Sequence, residues 1–322
     1  MTLQEIFTGI DAVRIGVLGD FCLDGYWHAD MRRSELSREV PHFPLPVVHE
    51  RYSPGAAGNV AANIAALKPA KVLALGVIGH DWRGIELKNC LNKVGVDTAG
   101  LIEAPERITN AYIKPLRMGI SDVVYEDPRL DFENTQPLGS DVEAKLLQVL
   151  DKLDLDVLCV CDQTRMGVIT PAVREKLSEL GEKGLTIIVD SRDNVREYRH
   201  VIVKPNEVEA ARAFGEGAYE DMIRKLHEHT KRPAIITLGD QGCMVYDGET
   251  VQPVPAHKVQ PPIDICGAGD TFLSGLACSL AAGAPLSMAA AFGNAASAVT
   301  IRKLNTTGTA TREELDAQWH SM

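Results

Sequence analysis

The sequence has no apolar run that approaches the ~20 residues needed to cross a membrane as a helix. Its first residues, MTLQEIFTGIDAVRIGVLGD, also lack the basic segment followed by an apolar run that marks an export signal. We therefore expect a cytoplasmic protein with no membrane partner.

Basic residues are outnumbered by acidic ones, which leaves a net charge of -11. This balance argues against nucleic acid or an anionic membrane as the main partner, although local basic residues can still bind an anionic small molecule. The seven cysteines are odd in number and scattered, with no CxxC pair. We interpret them as reduced thiols.

Two common nucleotide-binding motifs are missing. No GxxxxGK[ST] occurs, which argues against a Walker-type ATPase, and no complete GxGxxG follows a strand, which argues against a dinucleotide-dependent dehydrogenase. Long linkers, repeats and low-complexity tracts are also absent. We therefore expect one domain over residues 1–322.

Apolar runs alternate with amphipathic stretches along most of the chain. This pattern predicts an α/β fold with a mainly parallel sheet covered by helices on both faces. Ligands bind such sheets at the carboxyl ends of the strands. The predicted strands are 13–19, 71–79, 156–162, 185–191, 200–206 and 234–240, and the predicted helices lie near 57–68, 82–94, 141–150, 171–183, 206–214 and 219–229.

Residues 25–52 and 110–133 break this alternation. Both are turn-rich, and the first contains Pro41, Pro44 and Pro46. We expect them to form short antiparallel strands that make a small lid on the main sheet.

The stretch DICGAGDTFLSG predicts a helix that begins near Gly269. The free N–H groups at its start attract an anion, and Gly267, Ala268 and Gly269 let the backbone approach it closely. Asp270 would repel a phosphate, so it suits a base that accepts the proton of an attacking hydroxyl. The helix start should lower its pKa. Spacing alone leaves an ordinary capped helix as an open alternative.

The pattern DxxGAGDxFxxG resembles the most specific motif of the ribokinase (PfkB) family of sugar kinases. The resemblance implies a ribokinase-like fold with a small β-strand lid, and ATP-dependent phosphorylation of a sugar hydroxyl. It implies that Asp270 is the catalytic base and that residues 267–269 form an anion hole. Asp264 occupies a position often linked to a monovalent cation such as K⁺.

Other family elements imply a nucleotide side. KPNEVE resembles the NxxE element, in which Asn206 and Glu209 would orient hydrated Mg²⁺, although a simple helix cap is an alternative. Thr237, Gly239 and Gly242 in TLGDQG resemble the turn near ATP. Asn294 occupies a position beside the adenine.

The acceptor side is expected in the N-terminal half. Asp20 and Asp24 follow the first strand, where carboxylates can accept hydrogen bonds from sugar hydroxyls. Asp24 matches the family's sugar-binding aspartate. Gly55 and Asn59 resemble the GGxxxN element, one residue closer together than in that pattern and with Ala56 in place of its second glycine.

One branch, the heptose kinases joined to adenylyltransferases, is particularly similar. GDFCLDGYW, SREVPHFPLPVV and PRLDFEN match its motifs and include Arg38, Arg129 and Asp131. The branch implies phosphorylation of the anomeric hydroxyl of a heptose 7-phosphate, and a homodimer with paired lids. The branch's DYxKG element appears as DQTRMG, with Arg165 for lysine, and no HxGH motif of an adenylyltransferase occurs.

Cations in the lid segments suit a sugar that already bears a phosphate. They include Arg38, Lys114, Arg117 and Arg129. Pairing with lid carboxylates on a solvated surface is the alternative. A kinase for another sugar or nucleoside, or a non-catalytic sugar- or nucleotide-binding regulator of the same fold, also stays open.

Overall fold

The computed structural model describes residues 1–304 and 306–320. The strands are β1 (Arg14–Gly19), β2 (Phe21–Asp30), β3 (Val47–Ala56), β4 (Lys71–Gly79), β5 (Asp97–Ala104), β6 (Asn110–Met118), β7 (Tyr125–Glu126), β8 (Leu130–Phe132), β9 (Val157–Asp162), β10 (Thr186–Ser191), β11 (Ile202–Val203), β12 (Ala234–Thr237), β13 (Cys243–Tyr246) and β14 (Val251–Val254). The helices are α1 (Leu3–Ile10), α2 (Ala57–Ala66), α3 (Trp82–Lys93), α4 (Ser140–Leu150), α5 (Pro171–Glu182), α6 (Glu207–Phe214), α7 (Tyr219–Thr230), α8 (Ala268–Ala281), α9 (Leu286–Thr300) and α10 (Arg312–Trp319).

A six-stranded parallel sheet forms the centre, in the order β11-β10-β9-β1-β4-β5. Its strands are apolar on both faces, and every residue of β9 is buried. One hydrophobic core packs against α1, α2, α8 and α9, and a second lies under α4, α5 and α7 on the other face. The predicted fold class is therefore confirmed.

The end of this sheet differs from the prediction. The segment 200–206 contributes only the two residues of β11, because Pro205 cannot donate a ladder hydrogen bond and Asn206 caps α6. The segment 234–240 contributes β12, which pairs with β13 and β14 in a separate antiparallel sheet. A bridge between Asn206 and Thr237 links the two regions, with the Thr237 N–H donating to the Pro205 carbonyl at 3.0 Å.

A second sheet contains most of the two predicted lid segments. Its order is β3-β2-β6-β7, and β8 also pairs with β6. The expected short antiparallel strands were only partly right, since β2 and β3 have ten residues each and β2 pairs with β6 in parallel. The pairing is parallel because the chain passes through the central sheet before it returns in the same direction.

The helices are short, and many contain polar residues at regular intervals. Among the described residues, none has both the length and the apolar character that crossing a bilayer requires. All seven cysteines are free thiols.

Candidate active site

A cleft of about 360 Å³ lies between the carboxyl ends of the central strands and the small sheet. It brings together eight residues predicted from the sequence: Asp24, Asn59, Lys114, Arg129, Gly267, Ala268, Gly269 and Asp270. Its lining also includes Tyr26, Ala56, Tyr112, Gln163, Arg192, Ile265, Cys266 and Thr307. The small sheet therefore supplies one wall and the start of α8 supplies the other.

The start of α8 has the geometry expected of an anion-binding turn. Gly267 has a left-handed backbone (φ 77°, ψ 6°), and a Cβ atom there would lie 2.8 Å from Asn59 Nδ2. The N–H of Ala268 donates to the Ile265 carbonyl at 3.1 Å, so it is not available to a ligand as predicted. Within the described residues, no hydrogen bond engages the N–H groups of Gly267, Gly269 and Asp270.

The Asp270 carboxylate is oriented by Asn59, whose Nδ2 donates a hydrogen bond to it at 2.7 Å. Burial raises the pKa of Asp270 to about 6, and the negative charges of Asp190 and Asp24 contribute in the same direction. The hydrogen bond from Asn59 and the charge of Lys204 oppose the shift. The expected lowering of this pKa was therefore wrong, because desolvation outweighs the helix dipole.

Asn59 belongs to a hydrogen-bonded chain between α2 and α8. Asn63 donates to the Asn59 side-chain oxygen at 3.2 Å, and the hydroxyl of Thr271 donates to Asn63 at 3.2 Å. Asn59 is only 2% exposed. The structure therefore supports a role for Asn59 in orienting Asp270, beside its predicted contact with a sugar.

Asp24 lies on β2 and faces the cleft. Burial raises its pKa to about 6, although the charges of Lys114 and Arg129 lower it. Gly55 is directly behind it, and a Cβ atom at Gly55 would overlap the Asp24 carboxylate. The predicted role of Gly55 thus has a steric reason, because any side chain there would displace Asp24.

Ala56 adopts a backbone conformation that favours glycine, with φ 49° and ψ −121°. It is the residue that replaces the second glycine of the GGxxxN element. Its N-terminal neighbour Gly55 leaves room for Asp24, and its C-terminal neighbour Ala57 begins α2. The tight junction between β3 and α2 imposes this strain on an alanine that also lines the cleft.

Asp20 has a different role from the predicted contact with sugar hydroxyls. Its carboxylate is buried and accepts hydrogen bonds from the N–H groups of Gln163, Thr164 and Val168 at 3.2, 2.9 and 2.8 Å. It does not line the cleft. Asp20 therefore holds the loop after β9 in place.

The lid cations are mostly paired inside the chain. The pairs are Lys114 with Glu126 at 3.4 Å, Arg117 with Asp127 at 2.7 Å, and Arg129 with Asp131 at 2.6 Å. Arg117 and Asp131 lie outside the cleft lining, as does Arg38, which is exposed. Of the four predicted phosphate-binding cations, only Lys114 and Arg129 reach the cleft.

Asn206 and Glu209 form a reciprocal helix cap. The Asn206 side chain accepts from the Glu209 N–H at 2.8 Å, and the Glu209 carboxylate accepts from the Asn206 N–H at 2.9 Å. Neither residue lines the cleft. Burial raises the pKa of Glu209, and the nearby charge of Asp190 adds to this effect.

The other predicted nucleotide residues are not in the cleft either. Thr237 ends β12, and Gly239 and Gly242 form the tight turn that follows it, both with positive φ. Asn294 is buried in α9, where its Nδ2 donates to the carbonyls of Val254 and Pro255 at 3.1 Å each. Asp264 accepts from the Cys266 N–H at 3.0 Å in the turn before α8.

Sequence reasoning missed a buried ion pair between Lys204 and Asp190, whose charged atoms are 3.3 Å apart. Lys204 is 3% exposed. The sequence did contain a signal for this pair, because Lys204 lies near the end of a predicted buried strand and a buried lysine needs an acidic partner. The cleft residue Arg192 was missed because it belongs to no recognised motif, and Gln163 was missed although it lies in the DQTRMG element.

The described residues contain no group of three or more His, Cys, Asp or Glu side chains that could hold a metal ion by themselves. However, Asp190 raises the pKa of both Asp270 and Glu209, which indicates an excess of negative charge partly offset by Lys204. This arrangement fits a hydrated Mg²⁺ held mainly by nucleotide phosphates, because Mg²⁺ commonly keeps several of its waters.

Comparison with known proteins identifies the family. The profile described as pfkB family carbohydrate kinase matches residues 45–312. The chain belongs to this family. It is a sugar kinase. The cleft and the turn before α8 are its candidate active site.

Curated relatives are similar over nearly the whole chain. The bifunctional protein HldE of Wolinella succinogenes is 31% identical over 315 residues, and that of Trichlorobacter lovleyi is 31% identical over 318 residues. These alignments cover 95% and 94% of this chain but only 64% and 62% of the relatives. The chain therefore spans less than two thirds of their length.

Solved structures share the fold at lower identity. Escherichia coli phosphofructokinase-2 in complex with substrates and products has a TM-score of 0.76 at 21% identity, with 96% of this chain and 99% of that chain covered. Ribokinase from Thermotoga maritima has a TM-score of 0.68 at 21% identity, with the same coverage. These similarities support the ribokinase-like architecture.

Replacement of Ala56 by glycine should stabilise the protein. Relief of the positive φ gains roughly 1–2 kcal/mol, and the greater freedom of glycine in the unfolded chain costs about 0.5–1 kcal/mol. Urea unfolding of Ala56→Gly should therefore show a net gain of up to about 1.5 kcal/mol. The matched control Ala57→Gly, in the first turn of α2, should lower the stability. A lower stability for Ala56→Gly would show that the conformation is not strained.

Proposed function

We propose that this kinase transfers the γ-phosphate of ATP to the anomeric hydroxyl of a heptose 7-phosphate. The observation that supports a phosphoryl-transfer site is the Asp270 carboxylate, which Asn59 orients at 2.7 Å beside backbone N–H groups that no described residue engages. The similarity to HldE proteins over most of the chain supports the heptose.

In this proposal Asp270 accepts the proton of the attacking hydroxyl. The sugar oxygen then forms a bond to the γ-phosphorus while the bond between that phosphorus and the β–γ bridging oxygen breaks, and ADP leaves. The N–H groups of Gly267, Gly269 and Asp270 stabilise the charge on the transferred group. Asp24 accepts hydrogen bonds from acceptor hydroxyls and so fixes the reacting oxygen near Asp270.

Mg²⁺ would neutralise phosphate charge during the transfer. Asn206 and Glu209 are the residues we assign to its hydration shell, because their cap leaves carboxylate lone pairs free and Glu209 lies in a region of excess negative charge. We assign four further residues to ATP binding: Thr237, Gly239, Gly242 and Asn294. Asp264 stays the candidate for a K⁺ site.

The two lid segments, 25–52 and 110–133, would exclude water from the cleft, with the whole chain 1–322 acting as one domain. Tyr26, Tyr112 and Lys114 of the small sheet line the cleft, which is the arrangement needed for this role. We also propose a homodimer in which the small sheets of two copies pair. Apolar side chains that would be covered are exposed on this sheet and its loops, among them Phe43, Val48, Ile120, Val124 and Tyr125.

A neutral sugar or nucleoside is a second candidate acceptor. The observation that favours it is the internal pairing of Lys114, Arg117 and Arg129, which reduces their value for an acceptor phosphate. A kinase assay with heptose 7-phosphate, free hexoses, pentoses and nucleosides separates the candidates by kcat/KM. Absence of turnover with all of them would favour a non-catalytic binding protein.

Replacement of Asp270 by asparagine should remove most of the turnover. General-base removal typically costs on the order of 10²–10⁴ in rate, whereas ATP binding should be nearly unchanged because the backbone turn is retained. The measurements are kcat and the ATP dissociation constant. Asp141→Asn, in the first turn of α4, is the matched control for a carboxylate that only starts a helix. Near-normal kcat in Asp270→Asn would contradict the assignment of the base.

Activity should fall in acid with a midpoint near pH 6. The base must be ionised to accept a proton, and the pKa of Asp270 is about 6. Below that pH, kcat/KM should drop about tenfold per pH unit, or more steeply if Asp24 must also be ionised. Asp24→Asn should move the midpoint to lower pH, because it removes a negative charge that raises the pKa of Asp270. A rate independent of pH between about 5 and 8 would contradict this role.

Light scattering should give the mass of two chains. Val48→Glu combined with Val124→Glu should yield monomers, because each places a charge in the proposed contact. Val208→Glu, at an exposed apolar position on α6, should leave the dimer intact. A monomeric parent protein would remove the dimer from the proposal.

A further inference from the structure

A second cavity, of about 230 Å³, adjoins the cleft at the carboxyl ends of β9 and β10. It is lined by Asp162, Gln163, Thr164, Arg165, Arg192, Asp193 and Asn194. Gln163 and Arg192 line both spaces, so the cavity extends the cleft. Its volume is below the ~300 Å³ of a small ligand pocket, which suits one substituent of a bound molecule.

The cavity carries two cationic side chains that are not used inside the chain. Among residues 1–304 and 306–320, neither the Arg165 nor the Arg192 guanidinium forms a hydrogen bond or an ion pair. Both lie at strand ends of the central sheet, where ligands of such folds bind. A free guanidinium presents paired donors that match the oxygens of a phosphate.

The acidic residues of the cavity are already compensated. Asp193 pairs with Arg212 at 2.7 Å. Asp162 has Arg174 at 4.0 Å and accepts hydrogen bonds from three further groups. These donors are Ser191 at 2.8 Å, Asn194 at 2.9 Å and Tyr198 at 2.8 Å. Once these pairs are counted, the two arginines leave the cavity with an excess of positive charge.

The loop that carries Arg165 is fixed rather than free. The buried Asp20 carboxylate binds the N–H groups of residues on both sides of Arg165, namely Thr164 and Val168. Arg165 is therefore held at the cavity by a backbone that cannot shift without breaking buried hydrogen bonds. The backbone that carries Arg165 is thus fixed, while its side chain is exposed to solvent, as is that of Arg192.

We propose that this second cavity binds the phosphate that the acceptor sugar already bears, with Arg165 and Arg192 as its donors. The inference rests on the proposed function and deepens it, since it moves the acceptor phosphate away from the paired lid cations. Lys114 and Arg129 then face the sugar ring beside Asp24.

A phosphate of ATP is the competing occupant. Arg192 affects the pKa of Glu209 through its charge, and Glu209 belongs to the proposed Mg²⁺ side. The two sources make different predictions. Loss of an acceptor-phosphate contact weakens only the phosphorylated acceptor, whereas loss of an ATP contact raises the KM for ATP with every acceptor.

The experiment compares heptose 7-phosphate with the same heptose lacking its phosphate. Binding of each is measured by calorimetry in the presence of Mg·ADP, and turnover is measured with Mg·ATP. The variants are Arg165→Met, Arg192→Met, the conservative Arg165→Lys, and the pair Lys114→Met and Arg129→Met. Lys225→Met, an exposed cation on α7, is the matched control.

The parent protein should prefer the phosphorylated heptose, and Arg165→Met or Arg192→Met should each weaken its binding by about 10- to 100-fold. Binding of the dephosphorylated heptose should not change, and Arg165→Lys should restore part of the loss. If the parent protein shows no preference, or if the preference survives in both Met variants, the site is wrong. It is also wrong if only Lys114→Met and Arg129→Met remove the preference, or if the Met variants act only through ATP.

The proposed function is judged separately by turnover. Binding of heptose 7-phosphate that depends on both arginines, without turnover, would retain the site and reject the reaction. Turnover of heptose 7-phosphate that is unaffected in Arg165→Met and Arg192→Met would retain the reaction and reject the site.

Discussion

The buried carboxylate of Asp20 is the interaction on which both sides of the cleft depend. Burial of a charge is costly unless its lone pairs are satisfied, and here three backbone N–H groups from the loop after β9 satisfy them. Asp20 is also the only residue between β1 and β2. One side chain thus connects the central sheet, the small sheet and the loop that carries Gln163 and Arg165.

The proposed chemistry depends on a balance of charge around Asp270 and beside the cleft. The charge of Asp190 raises the pKa of both Asp270 and Glu209, and the charge of the buried Lys204 opposes both shifts. Burial, helped by the remaining negative charge, raises the pKa of Asp270 towards the range in which a carboxylate is a useful base. The same negative charge favours binding of a divalent cation. The charge of Asp190 therefore acts on both the proposed base and the proposed Mg²⁺ side.

The motifs with strict backbone requirements could be read from the sequence. Gly267 and Gly55 have to be glycines because a Cβ atom would collide with Asn59 or Asp24, and the resulting patterns are recognisable. Four central strands, β1, β4, β9 and β10, were also predictable because they are largely buried, whereas the more exposed β5 was missed. Asp20 was misassigned because a carboxylate after a strand looks the same whether it faces a ligand or a loop.

The pairing of strands that are distant in the chain could not be predicted from the sequence. The parallel partnership of β2 with β6 joins segments separated by most of the N-terminal half, and no local periodicity reports it. The pKa of Asp270 depends on Asp190 and Asp24, which are brought to it only by the fold. The ion pair between Arg117 and Asp127 likewise could not be predicted from composition, which presents Arg117 as a cation available to bind a phosphate.

The connections between the two sheets restrict how the small sheet can move. It is joined to the rest of the chain at four places, and two of these are nearly rigid: Asp20 alone separates β1 from β2, and β3 passes directly into α2 at Ala56 and Ala57. Neither junction contains enough residues to allow the small sheet to shift as a whole relative to the central sheet. We therefore expect any displacement of the small sheet to be a rotation about these two adjacent junctions, which would move the far edge more than Asp24, four residues beyond Asp20.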